Sequence, residues 1–183
     1  MWPGSPACHT ESHMGRAIFA FLVVSTCFAA DSGAGIRWTA PAGWKAEAER
    51  PMRLGTYTVA PGGECAVYFF GSGQGGSVDA NVDRWIGQFT QADGKPSKSA
   101  AKIAKKTIHG WPVTTVDVSG AYTGMGGPTA QGGASAMPGY RMLAAIVEGP
   151  QGSIFFKFTG PAKTIAANQT GFDNIIASLA PVR

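Results

Sequence analysis

Apolar and polar positions along this chain fall into three patterns, each predicting a different kind of element. The first is an unbroken apolar run, Ala17 to Val24, preceded by Met14-Gly15-Arg16 and followed by Ser25-Thr26-Cys27-Phe28-Ala29-Ala30. One positive charge, a short apolar core and then small residues describe a secretory signal peptide over 1–29, with cleavage after Ala29. The run is too short to span a bilayer, which takes roughly 20 apolar residues. Residues 1–13 carry Pro3, Pro6 and Glu11 but no Lys or Arg, which points to Met14 as the initiator. A second reading of the leader uses Val24-Ser25-Thr26-Cys27 as a lipobox and anchors the protein by a lipid at Cys27; Thr before the Cys is unusual there.

The second pattern is alternation. Ile36 to Ala40 and Met52 to Val59 predict strands, stopped by Pro41-Ala42-Gly43 and Pro61-Gly62-Gly63. Cys65 to Phe70 is apolar at nearly every position and predicts a central strand. Ala101 to Ile108 and Trp111 to Val118 predict a hairpin turned at His109-Gly110, since Gly accepts positive φ. Tyr140 to Val147 and Ser153 to Thr159 form another, joined through Gly149-Pro150-Gln151-Gly152.

The third pattern is helical. Ser77 sits at an N-cap, and Val78, Val82, Trp85, Ile86 and Phe89 follow at spacings of 4, 3, 1 and 3. Asp79 in the first turn complements the helix dipole. Pro161 suits the first position of a last helix, whose buried side is Ile165, Phe172, Ile175, Ile176 and Leu179. The order β-β-β-α-β-β-β-β-α, with hairpins at every short connection, predicts an α+β fold. Its centre is a single, largely antiparallel sheet of about six or seven strands flanked by helices. Residues 30–35 read as a short linker and 36–183 as one domain, with a mobile Gly-rich loop at 120–139, where composition offers nothing to bury.

Composition narrows the chemistry. The roughly 150 residues beyond the leader suffice for one domain with a core. Of three His and three Cys in the whole chain, His109 and Cys65 are those outside the leader. Cys65 reads as a small buried hydrophobe and His109 as a turn residue, so neither a Cys-His or Ser-His-Asp constellation nor a zinc site is expected. No calcium loop of spaced Asp/Asn is found either. Met125, Met137 and Met142 read as loop and strand residues, and Asp79 and Asp83 as a polar helix face. Arg53 and Arg141 read as partners of nearby acids such as Asp117. No cofactor is expected.

Gly71-Ser72-Gly73-Gln74-Gly75-Gly76 matches G-x-G-x-x-G, but a polar loop, Gln91 to Pro96, follows where a dinucleotide fold needs an apolar strand. It reads as a turn, with an anion at the helix N terminus as the lesser alternative. A net charge of +4 falls short of a nucleic-acid footprint. Its one concentration, Lys95, Lys98, Lys102, Lys105 and Lys106, reads first as an edge strand kept from aggregating by its lysines. The second reading is a docking patch for an anionic polymer, lipid head groups or an acidic protein. Trp38 and Trp85 hold core positions, while Trp44 and Trp111 seal the ends of the sheet.

Several of these stretches occur together in one fold family. The opening Trp38-Thr39-Ala40-Pro41-Ala42-Gly43-Trp44, a helix about thirty residues later, a Gly-turned hairpin and a closing Phe156-Lys157-Phe158-Thr159-Gly160 resemble the PsbP/Mog-like superfamily. Asn81 to Phe89 and Gly139 to Leu143 are similar to stretches of exported bacterial proteins of unknown function. The resemblance implies an antiparallel sheet flanked by helices and a binding or assembly role; it carries over no site residue. The sequence therefore predicts an exported, periplasmic or extracellular, non-catalytic domain that binds an envelope protein or an anionic polymer, with no nucleic acid and no transmembrane segment. The alternative is an envelope enzyme whose site lies beneath the 120–139 loop and uses Asp117, Arg141 and Tyr122.

Overall fold

The computed structural model describes residues 30–124 and 136–182. The predicted leader with Met14 and Cys27, and residues 125–135 of the Gly-rich segment, lie outside the described residues.

Eight strands build an entirely antiparallel main sheet in the order β3-β4-β5-β10-β9-β8-β6, with β7 also paired to β8. They are β3 (Lys45–Ala46), β4 (Arg53–Val59), β5 (Gly63–Phe69), β6 (Phe89–Thr90), β7 (Lys102–Ile108), β8 (Trp111–Tyr122), β9 (Met137–Gly149) and β10 (Gly152–Pro161). A second sheet of three strands is ordered β1 (Ala30–Gly33), β2 (Ile36–Thr39), β11 (Ala180–Pro181). The helices are α1 (Val78–Ile86), α2 (Ala162–Ala167) and α3 (Gln169–Ala177).

The antiparallel α+β architecture agrees with the sequence pattern, but a single sheet of six or seven strands does not. Ile36–Thr39 leaves the main sheet to pair with β1 and β11. Two-residue strands such as β3 and β6 are too short to carry an alternation, which is why the pattern missed them. Residues 30–33, expected in a linker, form β1, held by four register pairs to β2. Gly120 to Tyr122 and Met137 to Gly139, expected in the loop, belong to β8 and β9.

Because side chains alternate across a strand, β5, β8, β9 and β10 feed two cores. On one face Val67, Leu143, Val147, Phe156 and Phe158 pack against Ile36 and Trp38 of the small sheet and Phe172, Ile175 and Ile176 of α3. On the other, Met142, Ala144, Ile146 and Phe155 meet Val82, Trp85, Ile86 and Phe89. The expected α1 stripe is therefore the seam, with the Ser77 hydroxyl accepting from the Ala80 amide as its cap (3.3 Å). Phe89 lies past the helix end, in β6. The last helix is two: Asn168, at φ −111° and ψ 12°, breaks it between α2 and α3.

Candidate functional site

Helix α1 spans only nine residues, so it covers only part of its face of the sheet. The uncovered part is a cleft in two lobes that share Arg53, Tyr68 and Lys157. The larger lobe, about 530 Å³, runs along α1 between Met52, Phe70, Arg84, Trp85 and Gln88. The smaller, about 210 Å³, lies over the bare strands between Glu64, Tyr122, Tyr140 and Thr159.

Lys157 stands where the lobes meet. It belongs to Phe155-Phe156-Lys157-Phe158-Thr159 of β10, so alternation sends Phe156 and Phe158 to the α3 face and Phe155, Lys157 and Thr159 to the α1 face. The side chain is only 7% exposed. Its ammonium donates to Gln88 Oε1 at 2.6 Å and to the Tyr122 hydroxyl at 3.1 Å. An ammonium has three donors, so these two acceptors leave one proton over. Among the described residues, no carboxylate is ion-paired to Lys157 or to Arg84. Burial, reinforced by the positive charge of Arg84, lowers the Lys157 pKa to about 8. Two residues further along the same face, the buried Thr159 hydroxyl oxygen has no hydrogen-bond partner.

The surrounding residues are held in place. Gln88 follows the α1 cap Gly87, and its carbonyl accepts from both the amide (2.9 Å) and the hydroxyl (3.0 Å) of Thr123. Arg53 bridges to Glu64 at 2.9 Å and lies over the Tyr68 ring, 5.1 Å from its centre. Tyr122 and Tyr140 stack at 5.9 Å with their planes 9° apart, and Tyr68 and Phe70 at 6.0 Å and 10°. Burial pushes the Tyr122 hydroxyl up to about 12, so it stays protonated and serves as a hydrogen-bonding group. The cleft thus combines one desolvated ammonium, two guanidinium groups and aromatic walls. Its one carboxylate, Glu64, is already paired with Arg53 and Arg50.

The residues singled out from the sequence are distributed differently. Arg141 makes a bidentate pair with Asp117, both bonds 2.8 Å, and reaches Gln169 of α3. Arg53 pairs with Glu64. Both arginines therefore partner acids, as expected. Tyr122 faces the α1 side while Asp117 and Arg141 face α2 and α3, so the sheet separates the trio assigned to the alternative enzyme. His109 occupies the β7–β8 turn at φ 48°, followed by Gly110 at 83°.

Cys65 is fully buried, which drives its thiol well above the usual range. Gly71, Gly73, Gly75 and Gly76 all have positive φ, and β5 before them pairs antiparallel with β4 and β10. That is a turn, without the parallel crossover of a dinucleotide site. Among the described residues no group of three or more His, Cys, Asp or Glu is placed to hold a metal.

The five lysines are scattered as well. Lys95 is spent on Asp93 and Lys98 on Asp83. On β7, an edge strand bonded to β8, Lys102 and Lys106 stand opposite Asp117 and Val113 while Lys105 stands opposite Thr114. Alternation sends them to two different faces.

In the sequence Lys157 belongs to the stretch Phe156 to Gly160 that resembles a fold signature, and it carries no functional reading there. The signal for it is a single charge inside a strand that is otherwise apolar on both faces.

The chain has the fold of cyanobacterial PsbP (CyanoP) from Synechocystis sp. PCC 6803, whose solution structure it matches with a TM-score of 0.51. Identity is 12%, over 81% of this chain and 88% of that one. A crystal structure of a protein from Bacteroides thetaiotaomicron VPI-5482 matches at a TM-score of 0.45 and 14% identity, over 84% of this chain and 47% of that one. No family model and no curated protein matches the sequence. Among the described residues no helix is long and apolar enough to cross a membrane.

Proposed function

We propose that this chain is an exported, non-catalytic binding domain of the cell envelope, and that it binds its partner in the two-lobed cleft beside α1. The observation that carries this reading is Lys157, a buried ammonium with no carboxylate partner among the described residues and a proton to spare. Burying such a charge is costly, and a fold gains nothing from it unless something else uses the charge. The leader Ala17 to Val24 supports export. The neutral amide and phenol beside Lys157 hold the ammonium without taking its proton, which suits binding rather than proton transfer.

The experiment is ¹⁹F NMR on the exported chain carrying 5-fluorotryptophan. Trp85 borders the cleft, whereas Trp38, Trp44 and Trp111 belong to or pack on the core of the opposite face. Titration with fractions of an envelope extract is expected to shift the Trp85 resonance and leave the other three in place, with no extract component consumed. A response confined to those three, no response at all, or turnover of an extract component would overturn the proposal.

A further inference from the structure

The geometry of the cleft points to the chemical class of its occupant: we infer that it takes a small organic monocarboxylate with a flat apolar body. The carboxylate sits on Lys157 and Thr159, and the apolar body lies along the larger lobe. This inference rests on the cleft being the binding site and adds what it selects.

Three observations carry it. The anchor is doubly unsatisfied: Lys157 has a donor beyond its bonds to Gln88 and Tyr122, and the Thr159 hydroxyl, in the same lobe, has no partner. A carboxylate, with two oxygens that accept and none that donates, completes both at once. The charge of the cleft favours an anion. Among the described residues Lys157 and Arg84 have no carboxylate of their own, and Glu64 on the rim of the small lobe is already bridged by Arg53 and Arg50, which leaves one buried ammonium as the anchor for one carboxylate.

A phosphate dianion is usually met by several converging backbone amides or a guanidinium fork. Here Arg53 is bridged to Glu64, and Arg84 gives one Nη to the Asn81 side chain, so no free guanidinium fork is presented, although the Arg84 charge still favours an anion. The body is set by the larger lobe, where Met52, Phe70 and Trp85 present apolar and aromatic surface. Met52 is 63% exposed and held at φ 63°, an unusual conformation for a side chain of its size. Among the described residues, that leaves an apolar group on the rim with no side chain to cover it.

The test titrates the same fluorotryptophan-labelled chain with three probes: 3-phenylpropionate, its neutral counterpart 3-phenylpropanol, and inorganic phosphate. The expected result is saturable binding of 3-phenylpropionate, read at Trp85 and confirmed calorimetrically, at least about tenfold tighter than the alcohol, the loss expected when a charged hydrogen bond is removed. Lys157→Met is expected to abolish that preference. Arg84→Gln, an exposed change that leaves the core untouched, should weaken 3-phenylpropionate severalfold and the alcohol hardly at all.

Equal affinity for acid and alcohol, or an acid preference that survives in Lys157→Met, would overturn the carboxylate while leaving the cleft as a binding site. Phosphate binding as tight as 3-phenylpropionate would make the site one for inorganic anions and overturn the organic ligand. No response of Trp85 to 3-phenylpropionate would overturn the inference outright; only silence towards the envelope fractions as well would remove the cleft itself.

Discussion

At the residue scale, Lys157 sets stability against use. Its pKa falls from 10.5 in the free side chain to about 8 in the fold, so between those values the unfolded chain holds a proton that the folded chain has released. Stability then rises with pH across that window, because the unfolded state binds more protons there. Below about pH 8 both states are protonated and the full cost of burial remains. The groups facing Lys157 are Arg53 on β4, Glu64 and Tyr68 on β5, Arg84 and Gln88 at α1, Tyr122 on β8 and Tyr140 on β9. Glu64 favours the charged amine, and Arg53 and Arg84 oppose it. Lys157→Met, which keeps an unbranched apolar stem and removes the charge, is therefore expected to raise stability at pH 7 by about 2 kcal/mol. It should also abolish the rise between pH 8 and 10.5. Urea unfolding of both proteins across that range measures this, and a variant less stable than the parent would show that the amine holds the fold together.

At the element scale, the legible parts were those whose residues repeat with one period. α1 could be read because Val82, Trp85 and Ile86 face one core and Ser77 caps its first turn. The β7–β8 hairpin could be read because His109 and Gly110 take the positive φ of a tight turn. The main sheet exceeds what the pattern predicts because β3 and β6 owe their existence to their partners. β1 has the composition of a linker in Asp31 and Ser32; tertiary contacts make it a strand, since Asp31 is held by the Tyr57 hydroxyl, which in turn accepts from the Trp38 indole at 2.8 Å. The cleft was not legible, since Gln88, Tyr122 and Lys157 are far apart in sequence and no local period links them. β7 is an edge strand bonded only to β8, and its lysines are expected to discourage pairing with a second chain. Replacing Lys105 and Lys106 together by Val is expected to produce light scattering under conditions where the parent stays clear. An unchanged signal would release those lysines from that role.

At the scale of the whole molecule, the sheet works as a partition: one face is devoted to packing by α2, α3 and the small sheet, the other is shared between α1 and the cleft. The small sheet constrains the N terminus, because Ala30 pairs with Thr39 and Asp31 bonds Tyr57. Cleavage after Ala29, as the sequence predicts, would leave β1 whole, so under the proposed export intact mass of the secreted protein is expected to give Ala30 as its first residue. A mass beginning at Cys27 with added acyl chains would instead establish the lipid anchor. The pairing of β10 between β5 and β9 bears on time as well as space. Under the proposed export, a chain delivered across a membrane from its N terminus presents Arg53, Tyr68 and Arg84 long before Lys157 arrives, and joining β5 to β10 must first overcome the entropy of a long loop. The anchor proposed for the anion is then among the last pieces to reach the assembly, and a half-delivered chain has walls but no grip.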